Sequence, residues 1–514
     1  MKKINYIFLL LAALITGGTI GCNVIEKDPI SSIEPEQFFQ NRNDANAFMA
    51  GIYNSMQTTL RTNYFDWGEV RSDNVEPEGT GTAQAKLVNN ALAANDNDLN
   101  AVTNWSDLYR TISLCNMAIE VFPGLIDRNL DNASPQYRDQ IGQAYALRGL
   151  MYFYALRVWG RVPIVNEVVT RPDQQLYYPR APIDSLKKQI LSDIDKSLLT
   201  IGNTPNKYYI QRAAVFALKT DVHMWFQEYQ AAVDASANVT GYSYISTPAQ
   251  WKTIFVDPEL STETIFNLFW NSAERNNQGV GVCARLGSRS NTSNYRIRPG
   301  VVSTYYTRQI NGRKADARLW LSIDTLQSPN LVQYDLLNEQ YGKFMAINPV
   351  TNTFTYVNNN DCSVKLPIYR FADVMLLRAE ALARLNRFTE ALTILNAIRA
   401  RVGFTVQAQR SDYTGSDEQV GIAIQRTILA ERQLEFIGEG KRWFDLCRIG
   451  RMYDFTSTGY DYLRSVMNPI LQGRVGAVAY DSDLNMGRIL YPLNSDIINA
   501  NPLLRGQQNP PYSE

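Results

Sequence analysis

Apolar residues recur at spacings of three and four through most of the first 240 positions. From Trp105 onward, Leu108, Ile112, Cys115, Ala118 with Ile119, and Phe122 fall on one face of a helix, and Pro123-Gly124 predicts its stop. A second helix is predicted over Tyr137 to Trp159, ended by Gly160 and Pro163. Its rings at Tyr145, Tyr152, Phe153, Tyr154 and Trp159 cover more than one face, so it should be packed on both sides. The same periodicity predicts helices from near Gln37 through Phe48, Ile52 and Met56, over Ile183–Leu199, over Gln211 to about Gln227, and over Tyr229–Val239. Between them, residues 63–100 hold Pro77, Gly79, Gly81 and many Asn and Asp, a loop texture with short elements.

The pattern changes near Gly241. Thr264–Trp270 is a β-branched and aromatic run that reads as a strand. Polar loops surround it at 271–299 and 351–361. Helix returns at Phe371–Leu385, Thr389–Val402 and Glu418–Gly438, and residues 451–514 read as a loop-rich tail. Within Arg378 to Ile398, small Ala381 faces Phe388 and Ala391, which lets two helices close tightly with the ring filling the gap. This is the logic of a tetratricopeptide helix pair, and Tyr229 with Ala232 repeats it.

The chain opens with Lys2 and Lys3, an apolar run from Ile4 to Ile15, then small residues before Gly21-Cys22. That order predicts a signal peptide over 1–21, and a cysteine at the cut predicts a lipid on Cys22, leaving 22–36 as a tether. The remaining cysteines are scattered: Cys115 and Cys447 read as buried thiols, and a Cys283–Cys362 disulfide stays open. With 50 basic and 50 acidic residues the formal charge is zero, which argues against a protein that coats nucleic acid. The single histidine, His223, rules out a three-histidine zinc site and sits in a run that reads as packed helix. No cofactor and no metal site is expected.

Four segments, in order, resemble the SusD/RagB family of surface lipoproteins. They are Ala146 to Pro163 with its Tyr-Phe-Tyr and Trp-Gly-Arg-Val-Pro; Tyr369 to Ala381; Asn396 to Gly403 with Ala430 to Leu446; and Tyr491-Pro-Leu-Asn with Asn501-Pro and Asn509-Pro-Pro-Tyr512. The resemblance implies a mainly α, SusD-like fold, with four tetratricopeptide-like helix pairs packed against a loop-rich, partly β ligand-binding region. It divides the mature chain into an N-terminal helical region, 37–240, and a C-terminal region, 241–514, that holds the pair at 371–402. It implies a non-enzymatic protein, lipid-anchored in the outer membrane and facing outward, that passes glycan, or in some members peptide, to a SusC-like TonB-dependent transporter. Only Glu26 and Asp28 supply the acidic residues that help send such lipoproteins to the outer face.

Sugar binding calls for flat apolar faces beside planar polar groups. Trp105, Trp159, Trp225, Trp251 and Trp443 read as core, whereas Trp67, Trp270 and Trp320 flank the segments near 63–100 and 271–360, where the resemblance is weak and implies variation among members. The candidate ligand contacts are therefore Trp67, Trp270, Tyr295, Arg296 and Trp320, with Arg71, Asp73 and Asn277 as polar partners. Arg285, Arg289, Arg296 and Arg298 are four cations within fourteen residues, a pattern that would suit an anionic sugar or a peptide carboxylate. The dense run Glu431, Arg432, Glu435, Glu439, Lys441, Arg442 and Asp445, with Arg148, Asp373 and Glu380, invites a catalytic-carboxylate reading; the spacing does not test the carboxyl separation that reading needs, and an ion-pair network fixing a helix end is the preferred expectation. An extracellular glycosidase and a pure repeat scaffold are the competing functional classes.

Overall fold

The computed structural model describes residues 38–78, 82–168, 174–203, 206–271, 273, 274, 279, 281–286, 294–310, 316–323, 341–348, 353, 354, 363–449 and 461–513. The expected signal segment, Cys22 and the tether lie outside the described residues.

The first described helix, α1 (Arg42–Leu60), starts later than its apolar pattern suggests. Asn41 Oδ1 accepts the Asn43 and Asp44 N–H groups, and the Asp44 carboxylate accepts the Asn41 N–H in return, so this capping box fixes the start. A short helix, α2 (Asn63–Gly68), follows, then α3 (Ser106–Asp127), α4 (Ser134–Trp159), α5 (Ile183–Thr200), α6 (Arg212–Trp225) and α7 (Tyr229–Ser236). The expected stop at Pro123-Gly124 is corrected: α3 runs through both. Pro123 and Gly124 face solvent there, while Phe122 and Leu125 on either side are fully buried, so packing outweighs one missing backbone bond. As expected, α4 is buried on all sides through Ala144 to Trp159 apart from Tyr145. It ends at Gly160, whose φ of +73° favours glycine and whose missing Cβ would lie 2.8 Å from Leu490.

The later helices are α8 (Phe371–Arg384), α9 (Phe388–Arg401), α10 (Asp417–Glu435), α11 (Arg442–Arg448) and α12 (Asp461–Gln472). The last of these puts a helix in a tail expected to be loop. Packing runs without a break: α1 on α3, α3 on α4, α4 on α5, α5 on α6, α6 on α7, α7 on α8, and α8 on α9 and α10. The pairs α6–α7 and α8–α9 are thus neighbours in one array. Met224, Ala232 and Val233 share a core cluster with Ala372, Leu376, Ala381 and Ala391. Close approach depends on small residues: a Cβ on Gly421 of α10 would lie 2.7 Å from the Ala383 carbonyl. The tail closes back on the end of α4, with the Tyr491 N–H donating to the Val158 carbonyl and Asn509 Nδ2 to the Trp159 carbonyl.

Strands are few. β1 (Val75–Pro77) pairs with β3 (Tyr295–Ile297), β2 (Thr264–Trp270) with β6 (Val364–Arg370), and β4 (Ile347–Asn348) with β5 (Thr353–Phe354), all antiparallel. β2 has the bounds its sequence predicts. Cys115 and Cys447 are buried and form no disulfide. Cys283 is disulfide-bonded, and Cys362 lies outside the described residues. His223 lies on α6 and its Nδ1 bonds to the Glu228 carboxylate.

The charged motif residues form an ion lattice inside the protein. Arg318, Lys343, Arg370, Arg399 and Arg401 interlock with Glu263, Asp316, Glu431, Glu435 and Glu439, five cations against five carboxylates. Beside it, Arg432, Lys441 and Arg448 meet Asp373, Glu380 and Asp445. Burial opposes charge on Asp373, but Lys441 and Arg432 outweigh it and hold the carboxyl well below the usual range. Burial likewise opposes charge on Glu435, and Arg401, Arg370 and Arg318 pull it low. Arg148 separately clamps Asp193, joining α4 to α5. Removing one member leaves its partners charged and buried. Glu435→Ala should therefore lower the free energy of unfolding by about 3–5 kcal/mol. Urea denaturation measures this, and a loss near zero would show that Arg318, Arg370 and Arg401 do not depend on Glu435.

Candidate ligand-binding site

The two variable segments that the sequence singles out separately meet in space. β1 and β3 pair in the register Val75 with Ile297, Glu76 with Arg296 and Pro77 with Tyr295. The ribbon is extended by the Arg298 N–H to the Asn74 carbonyl and the Glu78 N–H to the Asn294 carbonyl. Side chains alternate across it. Val75, Tyr295 and Ile297 face the core, while Glu76 and Arg296 sit at the half-buried outer face.

On that face Arg296 Nη2 lies 3.1 Å from Glu76 Oε2. Arg298 and Arg474 each reach the same carboxylate at 3.8 Å. Three guanidiniums thus share Glu76, with Glu78 next along the strand. Burial, the strongest influence on Arg474, lowers its pKa; Glu76 opposes this and Arg298 adds to it. Arg474 lies in the tail, and no periodicity or motif links it to the ribbon from sequence.

Of the other predicted contacts, Trp67, Arg71, Asp73, Trp270 and Tyr295 are buried within the fold, and the expectation that they face a ligand is corrected. Trp67 is 1% exposed: Nε1 donates to the Val102 carbonyl and the ring meets Trp159 edge to face. Arg71 is held between the rings of Trp443 and Tyr491, at 4.5 and 4.9 Å, and donates to Asn90 Oδ1 and the Ile489 carbonyl. Asp73 accepts two bonds from Arg442 and one from Gln433. Tyr295 packs on Phe65, and Trp270 closes the end of β2 opposite Val364, 4% exposed. Arg285, one of the four clustered cations, is spent on buried Asp66. Trp320 lies half-buried against the main core on the short helix Arg318–Ser322. Asn277 and Arg289 lie outside the described residues.

The expectation of tryptophan platforms fails on burial. Seven of the eight tryptophans are buried and Trp320 is half-buried. Among the described residues the exposed large rings are Phe38, Tyr177 and Tyr209. Tyr177 edges a cleft of about 440 Å³ with Trp105, Tyr109 and Asn501. Tyr209 edges another of about 310 Å³. Both tyrosines lie in connecting segments between predicted helices, where an aromatic doublet (Tyr177-Tyr178, Tyr208-Tyr209) was the available signal.

Glu69 sits beneath the ribbon. Burial pushes its carboxyl up to about 7, while Asn74 Nδ2 and the Gly438 N–H pull the other way. The folded chain holds this proton where the unfolded chain has lost it, near pH 4.5. Its contribution to stability is complete below that pH and falls away as pH rises through 7. Glu69→Gln should remove the decline. Compared with wild type, it should be more stable by about 2–4 kcal/mol at pH 8 and nearly equal at pH 5. Urea melts at the two values check this, and a difference that ignores pH would show that Glu69 stays ionised. Trp67→Ala should cost about 3–5 kcal/mol of stability, read by the same melts. A fully stable variant that has only lost affinity would restore Trp67 as a ligand contact.

Residues 302–512 match the profile of the SusD family, and residues 26–222 match a profile described as starch-binding associating with outer membrane. The chain is 28% identical to SusD-like protein P38 of Formosa agariphila over the whole of both chains. Among solved structures, a SusD homolog from Bacteroides thetaiotaomicron superposes with a TM-score of 0.71 at 19% identity, covering 94% of this chain and 99% of that one. A laminarin-binding SusD-like protein superposes with a TM-score of 0.68 at 19% identity, covering 92% and 100%.

Proposed function

The chain belongs to the SusD/RagB family, and from that premise we propose that it is a lipid-anchored protein of the outer surface that binds glycan nutrients and passes them to a SusC-like TonB-dependent transporter. The observation that carries this reading is the pair of family profiles in chain order, the first described by starch binding and outer-membrane association. One of its structural relatives is named for binding laminarin, a glycan. The cargo lies over the β1–β3 ribbon, with Arg296 as its polar contact. Trp67, Arg71, Asp73, Trp270 and Tyr295 are buried within the fold. Peptide cargo is the second reading, favoured by the guanidinium group around Glu76, which would also take a carboxylate.

The protein acts by holding, not by turnover. Glu431, Glu435 and Glu439 are buried and paired with Arg or Lys. A glycosidase needs two carboxyls facing a sugar, one of them held protonated. Among the described residues, no group of His, Cys, Asp and Glu is arranged to hold a metal.

A glycan and peptide array on the purified chain should show binding to one glycan class without product formation. Arg296→Ala should weaken that binding by about tenfold with an unchanged melting temperature. Cys22→Ala should shift the protein from the membrane pellet to the soluble fraction. Products released from a bound glycan, or a peptide-only array signal, would overturn the glycan-carrier reading. Unchanged pelleting of Cys22→Ala would overturn the anchor.

A further inference from the structure

A cleft of about 310 Å³ opens between α1, the loop before α6, and β2, away from the β1–β3 ribbon. Four of its lining residues carry rings: Tyr53, Tyr208, Tyr209 and Phe269. Tyr53 and Tyr209 meet edge to face with centroids 4.6 Å apart, and Tyr208 leans on Phe269 at 4.5 Å. The Tyr53 and Tyr208 hydroxyls are already engaged. Tyr53 donates to Gln143 Oε1 and accepts from the Ile210 N–H, and Tyr208 bonds the Glu259 carboxylate. Gln57 Nε2 spans from α1 to the Phe269 carbonyl at 2.6 Å. What Tyr53 and Tyr208 leave facing the cleft is carbon, not free polar groups.

Asn267 is the exception. It lines the cleft and is 1% exposed, yet neither its amide nitrogen nor its amide oxygen has a hydrogen-bond partner. The strand register shifts between Phe266 and Asn267, and the Asn267 N–H turns out of the β2–β6 ladder to the Lys207 carbonyl. A buried amide with both ends open destabilises the fold. A ligand that supplies an acceptor and a donor side by side would relieve it. A vicinal diol does so, because each hydroxyl both donates and accepts. Ring faces on two sides suit the C–H surface of a pyranose. Among the described residues no cation lines the cleft, and Glu274 stands at its edge, which disfavours an anionic sugar. The volume is at the small end of the roughly 300–1,000 Å³ of ligand pockets, enough for a single ring.

We propose that this cleft is a carbohydrate subsite separate from the ribbon, taking one neutral pyranose between the Asn267 amide and the Tyr208 and Tyr209 rings. It shares with the reading above only the class of cargo, so the two can fail independently. The test is saturation-transfer NMR on the full chain with the methyl glycosides of glucose, galactose, mannose and xylose. At least one should show transfer. Asn267→Leu, close in size and apolar, should weaken that ligand by at least about tenfold while keeping or raising the melting temperature, because it removes the unpaired amide. Tyr209→Ala, an exposed position, should weaken the same ligand, and Arg296→Ala should leave it unchanged. The proposal fails if no glycoside shows transfer, or if transfer survives both cleft variants. It also fails if transfer is lost in Arg296→Ala but kept in Asn267→Leu. Should Asn267→Leu not fold, Tyr209→Ala decides alone.

Discussion

The buried guanidinium–carboxylate lattice is the constraint on which the rest of the molecule depends. Its carboxylates come mostly from the end of α10 and the turn that follows, at Glu431, Glu435 and Glu439. Its cations come from far apart: Arg318, Lys343, Arg370 at the end of β6, and Arg399 and Arg401 on α9. An apolar core tolerates small slips, since dispersion contacts are many and individually weak. A fork of paired charges does not, because any slip leaves an ion buried without a partner. The lattice therefore fixes how the helix array meets the strand-bearing segment inserted between α7 and α8.

The candidate surface inherits this rigidity through two links. Arg442, at the start of α11, clamps Asp73 just before β1. The Gly438 N–H, in the turn after α10, bonds Glu69, which in turn orients Asn74. The ribbon that joins residues 75–77 to 295–297 thus stands on the same turn that closes the lattice. The cleft at Asn267 rests on the face of α1 and the loop before α6, and its third wall, β2, is tied to the lattice through Glu263 and Arg370 at the end of the β2–β6 pair.

How much of this was legible in sequence depended on the range of the determining interaction. Local periodicity is enough for α4 and for β2, and small-residue spacing is enough for the α8–α9 pair. The charged motif was readable as an ion-pair network because its carboxylates recur on one helix end. Pro123 misled because its cost was local, while the burial of Phe122 and Leu125 was not. The site was harder. Trp67 and Trp270 lie in polar, loop-like surroundings along the chain, but folding brings Trp159 and Val364 over them. Which polar neighbours a residue meets across 400 positions, as Arg71 meets Ile489, leaves no local trace. Arg474 and Asn267 were missed for the same reason.

Arg71 has a further consequence for how the two halves of the chain fit together. It is a buried cation whose charge is met by rings and carbonyl oxygens from the tail: Trp443, Tyr491, Ile489. Arg180 likewise depends on the Asn509 side chain, and the end of α4 accepts from Asn509. Both guanidiniums sit in connecting segments of the first half and find their partners in the last third of the chain. Burying either one without those partners would cost free energy, so the tail completes the interior of the N-terminal half as well as covering it.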